Sequence, residues 1–220
     1  MSGLDAGSYT LSVSTIADAN HNPVTKNVTV TVNKLKTKLS AKAVTTTYNV
    51  NKYLVITLKD AKGKALSGVK VSIKIKTTKT LKTNKKGQVK FSTKGLAPKA
   101  YKAVITFKGN NNYIKSTKTV KVTVKKATPK LIAKSKTLKR SDKTKKYTVT
   151  LKTNQNKVMK NTKLTLKVNG KTYSAKTNAK GQATFKITKL TKKGKFIATI
   201  KYAGSKYYNA KTVKPKITVK

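Results

Sequence analysis

The sequence contains no cysteine, no tryptophan and no glutamate, and a single histidine and a single arginine among its 220 residues. Without cysteine, neither a disulfide framework nor a thiolate metal site can form. The only acidic side chains are Asp5, Asp18, Asp60 and Asp142. Four scattered aspartates supply neither the paired carboxylates of acid–base catalysis nor the clustered carboxylates that calcium needs. A hydrolytic triad requires a base, and His21 is the one candidate. There is no glycine-rich phosphate loop and no metal-ligand spacing. No catalytic, cofactor-binding or metal-ligating residue can therefore be named, no cofactor is implied, and an enzyme is not expected. No run of 18 apolar residues occurs, so the sequence offers no membrane-spanning helix. The opening MSGLDAGSYT lacks the basic segment and apolar core of an export signal, so any signal or anchor is expected outside this stretch.

What the chain does have is lysine. Lys and Arg together number 53 against four acids, a net charge of +49, and Arg140 is the single arginine. Blocks this basic are often disordered, because repulsion and low hydrophobicity prevent a core from forming. Here, however, the lysines are interleaved with Val, Ile, Leu and Thr at a period of two. Val69, Val71, Ile73 and Ile75 alternate with Lys70, Ser72, Lys74 and Lys76, and Tyr101, Ala103, Ile105 and Phe107 with Lys102, Val104, Thr106 and Lys108. Such alternation predicts half-buried strands with one face to a core and one to water.

The stretch TNKKGQVKF at 83–91 returns as TNAKGQATF at 177–185. Extended outward, the echo pairs LVITLK (54–59) with YTVTLK (147–152) and VKVSIKI (69–75) with TKLTLKV (162–168). YKAVITFKGNNNY (101–113) likewise pairs with FIATIKYAGSKYY (196–208), and VKVTV (120–124) with PKITV (215–219). The opening GLDAGSY (3–9) aligns with GLAPKAY (95–101). The expected organisation is thus the C-terminal part of a truncated repeat over 1–33, one whole repeat over 34–126 and another over 127–220, as in a piece of a longer array. Seven strands are expected in the first whole repeat, near 39–44, 52–59, 69–76, 79–82, 88–93, 100–108 and 117–124. Short strands at this spacing predict an all-β chain of tandem antiparallel β-sandwiches. Gly87 and Gly181 are expected at positive φ in the repeated turn, with Val89, Phe91, Ala183 and Phe185 entering the cores. His21 aligns with Tyr113 and is expected to pack at a strand corner.

The turn TNxxGQxxF, and the phrase F/Y-x-G-x-x-x-Y at 107–113 and 202–208, resemble those of bacterial Ig-like domain repeats in invasin-like adhesins. The lysine-rich, cysteine-free, arginine-poor style is similar to that of adhesin-like surface proteins of methanogenic archaea. The Cys and Trp hallmarks of antibody domains are missing. The resemblance implies Ig-like sandwiches serving as stalk or adhesion units at the cell surface. Cell-surface or cell-wall polymers, and other cells, would be their partners.

The alternative is a lysine-rich polyanion-binding module for an anionic cell-wall polymer, an acidic glycan or nucleic acid. Lysine alternates along nearly every strand, so the charge is expected as a coat rather than a stripe. One arginine is little for fitted phosphate recognition. Tyr and Phe fall mostly on inward positions, with Tyr207-Tyr208 the exposed exception. Weak, salt-sensitive polyanion binding is expected, and specific nucleic-acid recognition is not. A Lys–Asn cross-link shared by both repeats is not expected, because Asp60 aligns with Thr153. Within 8–32, two strands exposing Tyr9, Leu11, Val13, Val28, Val30 and Val32 are expected either to fray or to pair with an edge strand of another chain.

Overall fold

Alternating β-branched and lysine residues favour extended backbone with one apolar face, and a face of that kind must be covered by another sheet. The computed structural model describes residues 3–220, among which there are twenty strands and no helix. Met1 and Ser2, at the start of the expected segment 1–33, lie outside the described residues.

The first strands are β1 (Gly7–Ser14) and β2 (Thr25–Val32), an antiparallel hairpin in register from Gly7↔Val32 to Ser14↔Thr25. All eight positions pair within the hairpin. The register puts Tyr9 opposite Val30 and Leu11 opposite Val28 on one face, with Ser and Thr on the other.

The first sandwich follows: β3 (Thr37–Ala41), β4 (Val44–Thr47), β5 (Tyr53–Asp60), β6 (Lys70–Lys74), β7 (Thr78–Lys82), β8 (Gln88–Ser92), β9 (Lys99–Phe107) and β10 (Ser116–Lys125). One sheet has the order β3-β5-β8 and the other β4-β10-β9-β6-β7. The strand expected over 39–44 is in fact two. Leu39 is buried, and Ala41 shares its face of the pleat, whereas Val44 and Thr46 are the buried positions of the next stretch. The inward phase slips by one residue at Lys42-Ala43, and a single pleat cannot serve both registers. β3 therefore stays beside β5 while β4 crosses to β10.

The second sandwich repeats this plan with β11 (Lys130–Ile132), β12 (Lys136–Leu138), β13 (Lys145–Lys152), β14 (Lys163–Val168), β15 (Lys171–Lys176), β16 (Gln182–Ile187), β17 (Gly194–Ile197), β18 (Thr199–Tyr202), β19 (Lys211–Val213) and β20 (Lys216–Val219). One sheet is β11-β13-β16; the other side is formed by two shorter sheets, β12-β20-β17 and β15-β14-β18-β19. β17–β18 answers to β9, and β19–β20 to β10. Pro215, in the place of Val120, has no N–H to give the ladder, and the strand is interrupted there. Its carbonyl still accepts from the Ala198 N–H at 3.0 Å. Some pairings among the described residues depart from the expected antiparallel plan: β12 runs parallel to β20, and isolated parallel bridges join Leu35 to Tyr113 and Ala127 to Tyr208.

In the first sandwich Leu54, Ile56 and Leu58 of the smaller sheet are buried, as are Val71, Ile73, Ala103 and Ile105 of the larger. In the second, Tyr147, Leu151, Phe185, Leu166, Ile200 and Ile217 form one cluster. Each fully buried Val, Leu, Ile or Phe among them contributes about 1.5–3 kcal/mol by leaving water. Val89, Ala183 and Phe185 are buried as expected, while Phe91 is only half-buried. By contact density the chain divides into two units. One comprises the chain as far as Thr45 with Asn51–Thr93 and Ala100–Thr123; the other comprises Thr46–Val50, Lys94–Lys99 and Val124–Lys220.

Candidate functional site

The repeated turn is built by the same atoms in both units. Asn84 Oδ1 accepts from the Lys86 and Gln88 N–H groups at 3.0 and 2.9 Å, and Asn178 Oδ1 from those of Lys180 and Gln182 at 2.9 and 3.0 Å. Gly87 and Gly181 follow at φ +69° and +72°. A Cβ on Gly87 would stand 2.4 Å from the Leu58 carbonyl oxygen, and one on Gly181 2.8 Å from that of Leu151. The preceding threonines close the corner from inside. Thr83 Oγ1 donates to the Leu66 carbonyl at 2.6 Å and accepts from the Val69 N–H at 3.1 Å. Thr177 does the same with Met159 and Thr162 at 2.6 and 2.9 Å. The sequence explained the glycines; it did not reveal the threonine clamp. The invariant Thr-Asn pair within the echo was the available signal. The turn is architecture in each unit.

The chemistry-bearing residues stand apart from one another. Asp60 is buried at the end of β5, its Oδ1 accepting from the Lys62 and Lys64 N–H groups at 3.0 and 2.9 Å. Thr153 fills the same role with its hydroxyl, accepting from Gln155 and Lys157 at 3.3 and 3.1 Å, which explains why these two residues align. His21 does not pack as expected. Its side chain is 76% exposed, and Nδ1 lies 2.8 Å from Asp18 Oδ1. The hairpin that carries it has no opposing sheet against which to bury it. The Asn20 N–H, and next the His21 ring, hold the Asp18 carboxyl below its ordinary range.

In the second unit one lysine turns inward. Lys145 is buried, its Nζ donating to the Asp142 and Arg140 carbonyls at 2.7 and 3.2 Å. Lys130 Nζ reaches Asn156 Oδ1 at 2.7 Å. Tyr207 and Tyr208 are half-buried rather than exposed: Tyr207 stacks on Tyr48 at 4.6 Å, and Tyr208 meets Tyr48 edge-on at 5.6 Å. Burial foremost, and then the neighbouring Tyr48 and Tyr202, push the Tyr208 phenol up.

Lysines do occupy both outer sheet faces, but the coat is uneven. In the first unit an open groove of about 790 Å³ is lined by Lys70, Lys82 and Lys108 with Ser72, Thr80 and Asn110, and by Val69, Leu81 and Phe107 at its edge. A second groove, on the β3–β5 side, has Lys42 as its one lysine.

Two copies of a sandwich in which a strand crosses between a three-stranded and a larger sheet define an Ig-like β-sandwich repeat chain. No protein-family model matches the sequence, and no curated protein matches it. Among solved structures it is similar to a bacterial ice-binding adhesin, with 14% identity, 95% of this chain and 74% of that one covered, and a TM-score of 0.40. It is also similar to invasin, a bacterial integrin-binding protein, with 16% identity, 84% of this chain covered and a TM-score of 0.47. This chain spans 39% of that one. The titin domains z1z2, solved in complex with telethonin, give 11% identity, 86% and 98% coverage, and a TM-score of 0.45. At these identities the fold rests on this chain's own strand order.

Proposed function

We propose that the chain is a run of structural and adhesive modules, serving as stalk or adhesion units of a long cell-surface protein. Its modules would be the partial repeat 1–33 and the whole repeats 34–126 and 127–220. The observation that carries this reading is the repeated corner. The same threonine clamp, asparagine turn and left-handed glycine close two separate apolar cores. Duplicated self-contained cores with lysine- and threonine-covered exteriors suit a protein that gains length and surface by repetition. In this reading the modules work outside the cell, no residue is catalytic, and no cofactor or metal is needed. Lysine usage in place of arginine supports an origin among archaeal adhesin-like proteins. Residues 8–32 would offer a strand edge to another chain.

The test is antibody labelling of intact, unpermeabilised source cells, combined with external protease treatment. Surface signal that the protease removes is the expected result; signal found only after permeabilisation would contradict the reading. A polyanion-binding module is the second reading, and the three-lysine groove is the observation that favours it.

A further inference from the structure

The groove on the larger sheet of the first unit is assembled from three strands. Lys70 pairs directly with Lys82, and Ser72 with Thr80, across β6 and β7. Ser72 also pairs with Thr106 across β6 and β9. One antiparallel step beyond, Lys108 comes level with Lys70. The result is a row of lysines, Lys82–Lys70–Lys108, alongside a row of hydroxyls, Thr80–Ser72–Thr106. Neighbours within each row lie about 5 Å apart, the spacing between paired strands. Ser72 and Thr80 hydroxyls are 3.0 Å apart. Like charges directly opposite each other destabilise a strand pair. Three of them in one concavity repel one another, and a bound anion relieves that repulsion.

The second unit repeats the arrangement only in part: Lys163 pairs with Lys176 and Thr165 with Ser174, but Lys201 pairs with Thr165 and so stands where the first unit has Thr106.

The geometry points to an acidic-polysaccharide site in this groove. The inference rests on the surface-module reading and narrows it, naming the ligand class of one face. Two features select a glycan. The lysines meet its sulfate, carboxylate or phosphate groups, and the Ser72 and Thr80 hydroxyls meet its ring hydroxyls. Base stacking would need exposed aromatic rings, but the groove's one aromatic residue, Phe107, is 2% exposed.

The test uses the full chain and a fluorescein-labelled heparin hexasaccharide, followed by anisotropy at about 150 mM salt, where only charges within roughly 8 Å still act together. The variant K70Q/K82Q/K108Q is compared with K38Q/K59Q/K90Q, which removes equal charge from the outer face of β3-β5-β8. The groove triple is expected to weaken binding at least about tenfold and the opposite-face triple about twofold or less, while K70R/K82R/K108R keeps binding. If the groove triple does not melt like the parent chain, Lys82→Gln against Lys90→Gln carries the same comparison, with about a threefold loss expected for the first only. Equal losses from the two faces would overturn the site. A charge-matched oligothymidylate that binds more tightly than the hexasaccharide, and is lost with the groove triple, would overturn the glycan assignment. These outcomes are read on purified protein, so they stand or fall apart from cell-surface labelling.

Discussion

Gly87 sits at φ +69° with a backbone oxygen where a side chain would begin, whereas Gly63 sits at φ +85° with nothing within 4 Å. The pair separates two costs of replacing a glycine. Gly63→Ala carries only the left-handed backbone strain, about 1–2 kcal/mol. Gly87→Ala adds a clash with the Leu58 carbonyl that only backbone movement relieves, so the expected loss is about 3 kcal/mol or more. Denaturant unfolding of both variants checks this, with Gly87→Ala the less stable. Tyr147 makes a different kind of test. It is fully buried, its hydroxyl donates to the Lys134 carbonyl at 2.5 Å, and burial pushes its phenol above the ordinary value of 10.0. Between the unfolded and the folded value only the folded state keeps the proton. Stability is therefore intact below about pH 10 and falls as pH rises through the raised folded value. Thermal melts over roughly pH 8–11 should show a shallower alkaline loss for Tyr147→Phe than for the parent chain.

At the scale of elements, the hairpin β1–β2 and the pair β9–β10 align in sequence but have opposite surroundings. Leu11 and Val13 of the hairpin are 47% and 54% exposed, whereas Ala103 and Ile105 of β9 are 0% exposed. Protection from exchange follows burial and cooperative packing rather than pairing alone. In dilute solution, with no second chain paired to them, amides over 8–32 are thus expected to exchange at least about a hundredfold faster than those of β9, as measured by hydrogen exchange. Comparable protection in the two segments would mean that something covers the hairpin in solution. Elements were also where the sequence was most legible. Period-two alternation located the strands of the first whole repeat, and the echo placed both corners. The crossing at Lys42-Ala43 was harder to read, because a one-residue slip in phase hides inside a single apolar run. The Thr83 clamp was hidden for another reason: its partner, the Leu66 carbonyl, lies 17 residues away. Likewise Lys70, Lys82 and Lys108 share a groove only through the registers of three strands, which composition does not encode.

For the whole molecule, the charge of +49 and the two cores answer different questions. The cores explain why so basic a chain folds: each apolar face is covered by an opposing sheet, and lysine is left to the outside, with Lys145 capped by carbonyls as the exception. The charge bears on what the exterior would attract, and the proposed groove on where. Both views depend on each repeat being a self-sufficient sandwich, since only such a unit can be repeated to build a stalk or an adhesive surface. The most direct test is to produce residues 127–220 alone and follow heat unfolding by circular dichroism. A single cooperative transition from a β-sheet spectrum is the predicted result. A chain that is unstructured without Thr46–Val50 and Lys94–Lys99, which cluster with it in the full protein, would contradict the modular account.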